Sequence, residues 1–152
     1  MTAVREAVRG ATVVAAASLR PVRAADRAAV ERLTRAAELF REDEIPVAVE
    51  VFDAAAAGDP SYTALAAEID GRVAGWICWG PTPCTVGTWD LYWMAVDPSL
   101  QVSGVGTALI REMEHRLAGL ARVIVVETAG RPDYAGTRAF YEARGYRAVA
   151  TI

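Results

Sequence analysis

An apolar, aromatic run at 89–96 leads through Asp97-Pro98-Ser99-Leu100 into the glycine-bearing turn Gln101-Val102-Ser103-Gly104-Val105-Gly106-Thr107, and a helical pattern begins near Gly104. This succession of strand, turn and helix constrains the fold more than any other stretch, because it is the building unit of an α/β sheet. The first turn of a helix carries N–H groups without intrahelical partners, and together with the helix dipole they favour an anion such as a phosphate. Gly104 and Gly106 have no side chain, so a ligand can approach the backbone closely. Two readings of the turn follow: a phosphate cradle, or a glycine-punctuated helix start that holds nothing.

The flanking chain supplies the rest of the sheet. Ser18-Leu19-Arg20-Pro21-Val22 alternates polar and apolar residues and reads as an edge strand tolerant of Pro21. Residues 24–40 repeat apolar side chains at Val30, Leu33, Ala37 and Phe40, and residues 42–57 do so at Ile45, Val49, Phe52 and Ala56, which gives two helices. Pro46 fits a first helical turn, and Gly58-Asp59-Pro60-Ser61 ends the second helix. Residues 62–69 and 72–80 read as antiparallel strands joined at Asp70-Gly71, a strong hairpin signal. The stretch 81–87 is a loop rich in Pro and Gly and a candidate wall of a substrate site.

Beyond the turn, a helix from Gly104 to about Leu120 should bury Val105, Leu109, Ile110, Met113 and Leu117, and 122–127 reads as a short strand buried on both faces. A last helix spans 134–144, with Asp133 as its cap and Gly145 just beyond its end, and 146–152 starts another strand. The order β-α-α-β-β-β-α-β-α-β describes an α/β fold with a mixed sheet flanked by helices, in a single domain over 1–152. Residues 1–17 form an N-terminal extension, in which Arg5 and Arg9 before an alanine-rich run resemble a secretory signal only loosely.

Composition excludes several chemistries. All 16 basic residues are arginine, and without lysine there is no Walker-type phosphate loop, no Schiff-base catalysis and no lysine base. Cys78 and Cys84 have no second pair and no histidine nearby, so we expect reduced thiols, no metal site and a cytoplasmic protein. A net charge of −3 gives no overall attraction to nucleic acid or to an anionic membrane. No stretch reaches the ~20 apolar residues of a membrane span. His115, the only histidine, falls inside the helix after the turn and reads as a surface residue.

Four local patterns in order resemble the GNAT superfamily of N-acetyltransferases: Gln101, Gly104 and Gly106 of the turn, the preceding strand end Val96-Asp97-Pro98, and the pairs Phe140-Tyr141 and Gly145-Tyr146. The resemblance implies a mostly antiparallel GNAT-like sheet and acetyl-CoA as co-substrate, its pyrophosphate held by the backbone of Val102, Ser103, Gly104, Val105, Gly106 and Thr107, with Gln101 as the marker. It also implies that Met94, Ala95 and Val96 offer backbone to the pantetheine arm. Tyr141 matches the family tyrosine that protonates the departing thiolate, although a core aromatic is the other reading of that position.

For the base, Asp90 occupies the place of a catalytic glutamate in histone-acetylating members. Period-two geometry puts Asp90, Tyr92, Met94 and Val96 on one face; a solvated strand-end carboxylate is the alternative. Glu127 is the second candidate. The implied reaction is acetyl transfer to a primary amine of a small molecule, peptide or protein, with a non-catalytic acetyl-CoA-binding module as the alternative. Family members continue past the strand that follows the Gly145 position into one more strand. An unpaired edge beside 122–127 would favour self-association; a truncated form is one reading and a partner subunit covering the gap the other, and on the latter a homodimer is expected.

Overall fold

The computed structural model describes residues 16–151, with the backbone alone at 101–103. The reading of the N-terminal extension therefore lies outside the described residues except at Ala16 and Ala17. Five strands form one sheet in sequence order: β1 (Ser18–Pro21), β2 (Thr63–Ile69), β3 (Arg72–Pro81), β4 (Thr88–Val96) and β5 (Val123–Val126). The first four are antiparallel neighbours, and β5 runs parallel to β4. The parallel pair is a consequence of the helix between them, since a strand returning in the same direction needs a crossover.

Helices α1 (Arg27–Ala36) and α2 (Ile45–Ala56) pack on one face of the sheet. Helices α3 (Val105–Leu117) and α4 (Ala135–Glu142) pack on the other. The β2–β3 hairpin turns at Asp70 and Gly71, whose φ values of 50° and 76° are the positive pair that a two-residue hairpin requires. Alternation along β3 then sorts its side chains: Trp76 and Cys78 join Val30, Ala48 and Phe52, while Ile77 and Trp79 join Val105, Leu109 and Met113.

Two polar anchors secure the α1 layer. Arg20 on β1 forms a two-bond pair with the buried Asp26 carboxylate, at 2.8 and 2.9 Å, and its Nε donates to Glu68 on β2 at 2.8 Å. The guanidinium beside Asp26 holds that carboxyl below its usual range. Deeper in, the Trp76 indole N–H donates to Thr34 Oγ1 at 3.1 Å, and the Thr34 hydroxyl passes its own proton to the Val30 carbonyl at 2.7 Å. Thr34 thus satisfies a buried indole that the apolar layer could not.

Four sequence expectations are corrected. The helix read over 24–40 is a 3-10 turn at Ala24–Asp26 followed by α1, and it stops at Ala36 because Glu38 takes a positive φ of 54°. Strand β5 is an edge strand rather than one buried on both faces, since only β4 pairs with it and Val123 is 53% exposed. No strand forms over 146–151, so the last β of the expected order is absent from the described residues. Asp133 does not cap the last helix; it lies in the 3-10 turn Pro132–Tyr134 and pairs with Arg131 at 3.3 Å.

Thr34→Val should cost about 1–3 kcal/mol in denaturant unfolding, because it keeps the shape and leaves the Trp76 N–H unpaired. Burial pushes the Cys78 thiol from 9.0 up to about 12. Its contribution to stability is therefore complete below pH 9 and lost as pH rises to about 12. Cys78→Ala should flatten the alkaline decline of the unfolding free energy over that interval.

Candidate active site

The site begins with an irregularity in β4. Cys78 pairs with Trp93 but the next residue of β3, Trp79, pairs with Leu91, so Tyr92 is an extra residue that bulges the strand. The bulge reverses the alternation. Met94 and Val96 pack toward α3 and α4, as Leu91 does, whereas Asp90, paired with Gly80, sits on the face shared by Trp76 and Cys78. The one-face reading of Asp90, Tyr92, Met94 and Val96 is thereby corrected. Tyr92 instead stacks edge-on against Tyr62 at 5.6 Å. Space there is tight: a Cβ on Gly80 would lie 3.0 Å from the Tyr92 ring and 2.0 Å from the Ser61 carbonyl oxygen.

The bulge also ends the pairing of β4 with β5, which spans only Thr88 to Leu91. From Tyr92 onward the two strands part, and a cleft opens along Met94, Ala95 and Val96. Two adjacent cavities fill it and share Leu39, Met94, Thr137 and Tyr141. One, of about 420 Å³, reaches Gly106 and Phe140 at the start of α3. The other, of about 380 Å³, is walled by Phe40, Tyr92, Trp93 and Tyr134 and carries Glu44 and Glu127. The α1–α2 connection closes over this second cavity: the Leu39 carbonyl accepts from the Tyr134 hydroxyl and from Arg131 at 3.1 Å, and Phe40 lies on Trp93 at 5.0 Å.

At the other end, Asp97 organises the entry to α3. Its carboxylate accepts from the Ser99 N–H at 3.0 Å and the Ser99 hydroxyl at 2.7 Å, which holds it below its usual range. The 3-10 segment Pro98–Ser103 follows and ends at Gly104, whose φ of 83° is left-handed. Gly104, at the N-cap of α3, has no side chain to cap the first turn, and no other described side chain takes that place. Beyond its chain neighbours, no described residue lies within 4 Å of where a Gly104 Cβ would be, and a Cβ on Gly106 would lie 3.4 Å from the Phe140 ring.

Arg144 is drawn to the same end of the helix. It donates to Thr107 Oγ1 and, at 2.6 Å, to the Phe140 carbonyl, and its guanidinium lies 3.5 Å over the Phe140 ring. Its buried Nε has no hydrogen-bond partner among the described residues. A cation held against the positive end of a helix is unfavourable unless an anion joins them. The left-handed Gly104 and the first-turn N–H groups of α3 fit a phosphate group, and Arg144, which lines neither cavity, adds positive charge to this helix end through its bond to Thr107.

Tyr141 occupies the seam between the cavities. It is 8% exposed, edge-on to Phe140 and Tyr146, and its hydroxyl has no hydrogen-bond partner among the described residues. Burial pushes this phenol up to about 12, so it keeps its proton at neutral pH. Glu127 borders the cleft, while Asp90 lines neither cavity and accepts from the Thr82 hydroxyl at 2.7 Å. His115 is exposed in the last turn of α3. The loop 81–87 lies at the far end of β4, where the Gly87 carbonyl accepts from the Arg122 and Val123 N–H groups.

Sequence reasoning missed Leu39, Tyr134 and Arg144 as site residues, and placed Phe40 on a helix face. For Glu44 the sequence offers one signal, the acidic run Glu42-Asp43-Glu44 shortly after Phe40, which the helix dipole alone would also explain as a solvated helix start. Arg138 holds the β5–α4 connection by donating to the Ala129 carbonyl at 2.7 Å and the Arg131 carbonyl at 3.0 Å.

Comparison with known proteins gives the family and the fold. A family model described as Acetyltransferase (GNAT) family matches residues 27–146. A solved protein assigned to the GNAT acetyltransferases from Desulfovibrio desulfuricans is 39% identical, with a TM-score of 0.83 over 89% of this chain and 87% of that one. A GNAT acetyltransferase from Brucella melitensis, in complex with acetyl-CoA, is 28% identical with a TM-score of 0.65, over 87% and 83% of the two chains. A ribosomal-protein-alanine N-acetyltransferase from Brucella melitensis biovar Abortus, at 18% identity, 90% and 96% coverage and a TM-score of 0.67, shares the fold. No curated protein matches the chain.

The two glycines of the turn should respond differently to alanine. Gly104→Ala has room for its methyl group but must hold a left-handed backbone, so it should lower stability by about 1–2 kcal/mol. Gly106→Ala meets Phe140 at ordinary contact distance and should unfold close to the parent midpoint.

Proposed function

Because the chain belongs to the acetyltransferase (GNAT) family, we propose that it transfers the acetyl group of acetyl-CoA to a primary amine bound between β4 and α4. The observation that carries this reading is the unpartnered Tyr141 hydroxyl, placed where a cavity from the α3 N-terminus meets a cavity bearing carboxylates. Acetyl-CoA supplies an activated acetyl thioester. The first turn of α3, from Gly104 to Thr107, and Arg144 would hold its phosphates, and the unpaired side of β4 at 94–96 would offer N–H and C=O groups to its amide-bearing arm.

The residues divide the proton traffic. An amine must lose its proton to attack the thioester carbonyl, and the Glu127 carboxylate at the cleft is placed to take it directly or through a water. As the new C–N bond forms and the C–S bond breaks, Tyr141 gives its hydroxyl proton to the departing sulfur. A phenol raised to about 12 remains protonated until that demand arises. Asp90, turned to the other face and bonded to Thr82, is the less suitable base.

Tyr141→Phe should lower kcat about 100-fold while leaving acetyl-CoA affinity within twofold by calorimetry, a scale typical of a lost general acid. Equal loss of affinity and turnover would make Tyr141 a packing residue. Gly104→Glu places an anion where phosphate is proposed to bind and should abolish acetyl-CoA binding. Tight acetyl-CoA binding by the parent chain without thiol release on any amine would favour a binding module over an enzyme.

A further inference from the structure

Resting on the reading of the cleft as the amine site, we infer that the acceptor is a small di- or polyamine. One nitrogen reacts beside Tyr141 while a second, still protonated, is held by Glu44. The cavity on the acceptor side carries two carboxylates, Glu44 and Glu127, and no cationic side chain among its lining residues. One Glu44 oxygen accepts the Arg41 N–H at 2.6 Å. Its other oxygen, and both of Glu127, have no hydrogen-bond or ion-pair partner among the described residues.

The neighbouring arginines form no ion pair with them, although Arg41 feels the Glu44 charge. Arg41 is bound to Asp43 at 2.9 and 3.0 Å. Arg131 is engaged by Asp133, by the Leu39 carbonyl and by the Tyr134 ring at 5.2 Å. Two carboxylates thus border a cavity whose walls include the rings of Phe40, Tyr92, Trp93 and Tyr134, and aromatic faces also attract cations. A neutral acceptor would leave Glu44 without a partner, and an anionic one would be repelled. An aliphatic spacer suits the Phe40, Trp93 and Tyr134 surfaces.

Size favours a small molecule over a polypeptide. The volume of about 380 Å³ is near the lower end for small-ligand pockets, and the Leu39 carbonyl is tied across the cavity to Tyr134 and Arg131. Glu44 also raises the Tyr134 phenol above its ordinary value, after burial as the larger cause, which is consistent with the Glu44 charge acting on this wall. In the reaction one ammonium gives a first proton to Glu127 and attacks the thioester carbonyl; as the C–S bond breaks and Tyr141 protonates the sulfur, the nitrogen gives its second proton back to the Tyr141 oxygen and becomes the acetamide N–H. The other remains charged, so the product is a singly acetylated amine that keeps its bond to Glu44.

The test compares 1,5-diaminopentane with 5-aminopentan-1-ol, which replaces the second ammonium by a hydroxyl, by calorimetry on the full chain saturated with coenzyme A. The diamine should bind about tenfold more tightly, and Glu44→Gln, which can still accept the Arg41 N–H, should shrink the gap to about twofold. On the unmodified chain, raising the ionic strength should narrow the same gap. Equal affinity for the two amines, or a gap that neither salt nor Glu44→Gln reduces, overturns the assignment. Thiol release is a separate readout. A diamine that binds in the Glu44-dependent way but is never acetylated counts against acetyl transfer and upholds the recognition of a second charge.

Discussion

One extra residue in one strand governs the architecture of the cleft. A regular β4 would pair with β5 along its length, and the space between β4 and α4 would be filled by ladder hydrogen bonds and core side chains. Inserting Tyr92 bends the strand, ends the pairing at Leu91 and leaves the backbone of 94–96 without a strand partner on that side. Unpaired backbone groups need partners. On the proposed reading those groups would be a binding edge, and the cost of interrupting the sheet would be offset by what the interruption holds. The local packing protects the irregularity, since Tyr62 and Gly80 close on Tyr92 from either side.

The two ends of the cleft have opposite electrostatic character, and neither depends on net charge. At the α3 end the helix dipole and Arg144 present positive potential from fixed groups. At the far end Glu44 and Glu127 present negative potential against aromatic walls. Tyr141 lies between them, shielded enough to remain neutral. On the proposed reading, a ligand with phosphates at one end and an amine partner at the other would be sorted by this gradient before any specific contact forms.

How much of this could be read from the sequence depended on range. Local rules worked where the signal was local: the Asp70-Gly71 hairpin, the glycine turn before α3, and the buried faces of α2 and α3 follow from spacing and turn chemistry alone. The bulge at Tyr92 left no such trace, because it is set by how β3 and β4 register, and period-two counting therefore placed Asp90 on the wrong side of the sheet. The early end of α1 was hidden for a related reason. Ala37 and Phe40 continue the helical period, yet Phe40 leaves the helix to meet Trp93 once Glu38 turns left-handed. Arg144 and Tyr134 act across many residues of chain, through contacts that no sequence window contains.

The arginines around the cleft, Arg131, Arg138 and Arg144, hold carbonyl and hydroxyl oxygens that ammonium groups could also have held. Guanidinium differs from ammonium in one respect that matters beside an acetyl donor: it does not become a neutral, nucleophilic nitrogen at any ordinary pH. Since no side chain in the sequence is a lysine, the reactive thioester would meet no competing ε-amine from its own host. The chain can stay close to a reagent that modifies amines without its side chains accumulating N-acetyl groups, so its surface charge would not drift with acetyl-CoA concentration.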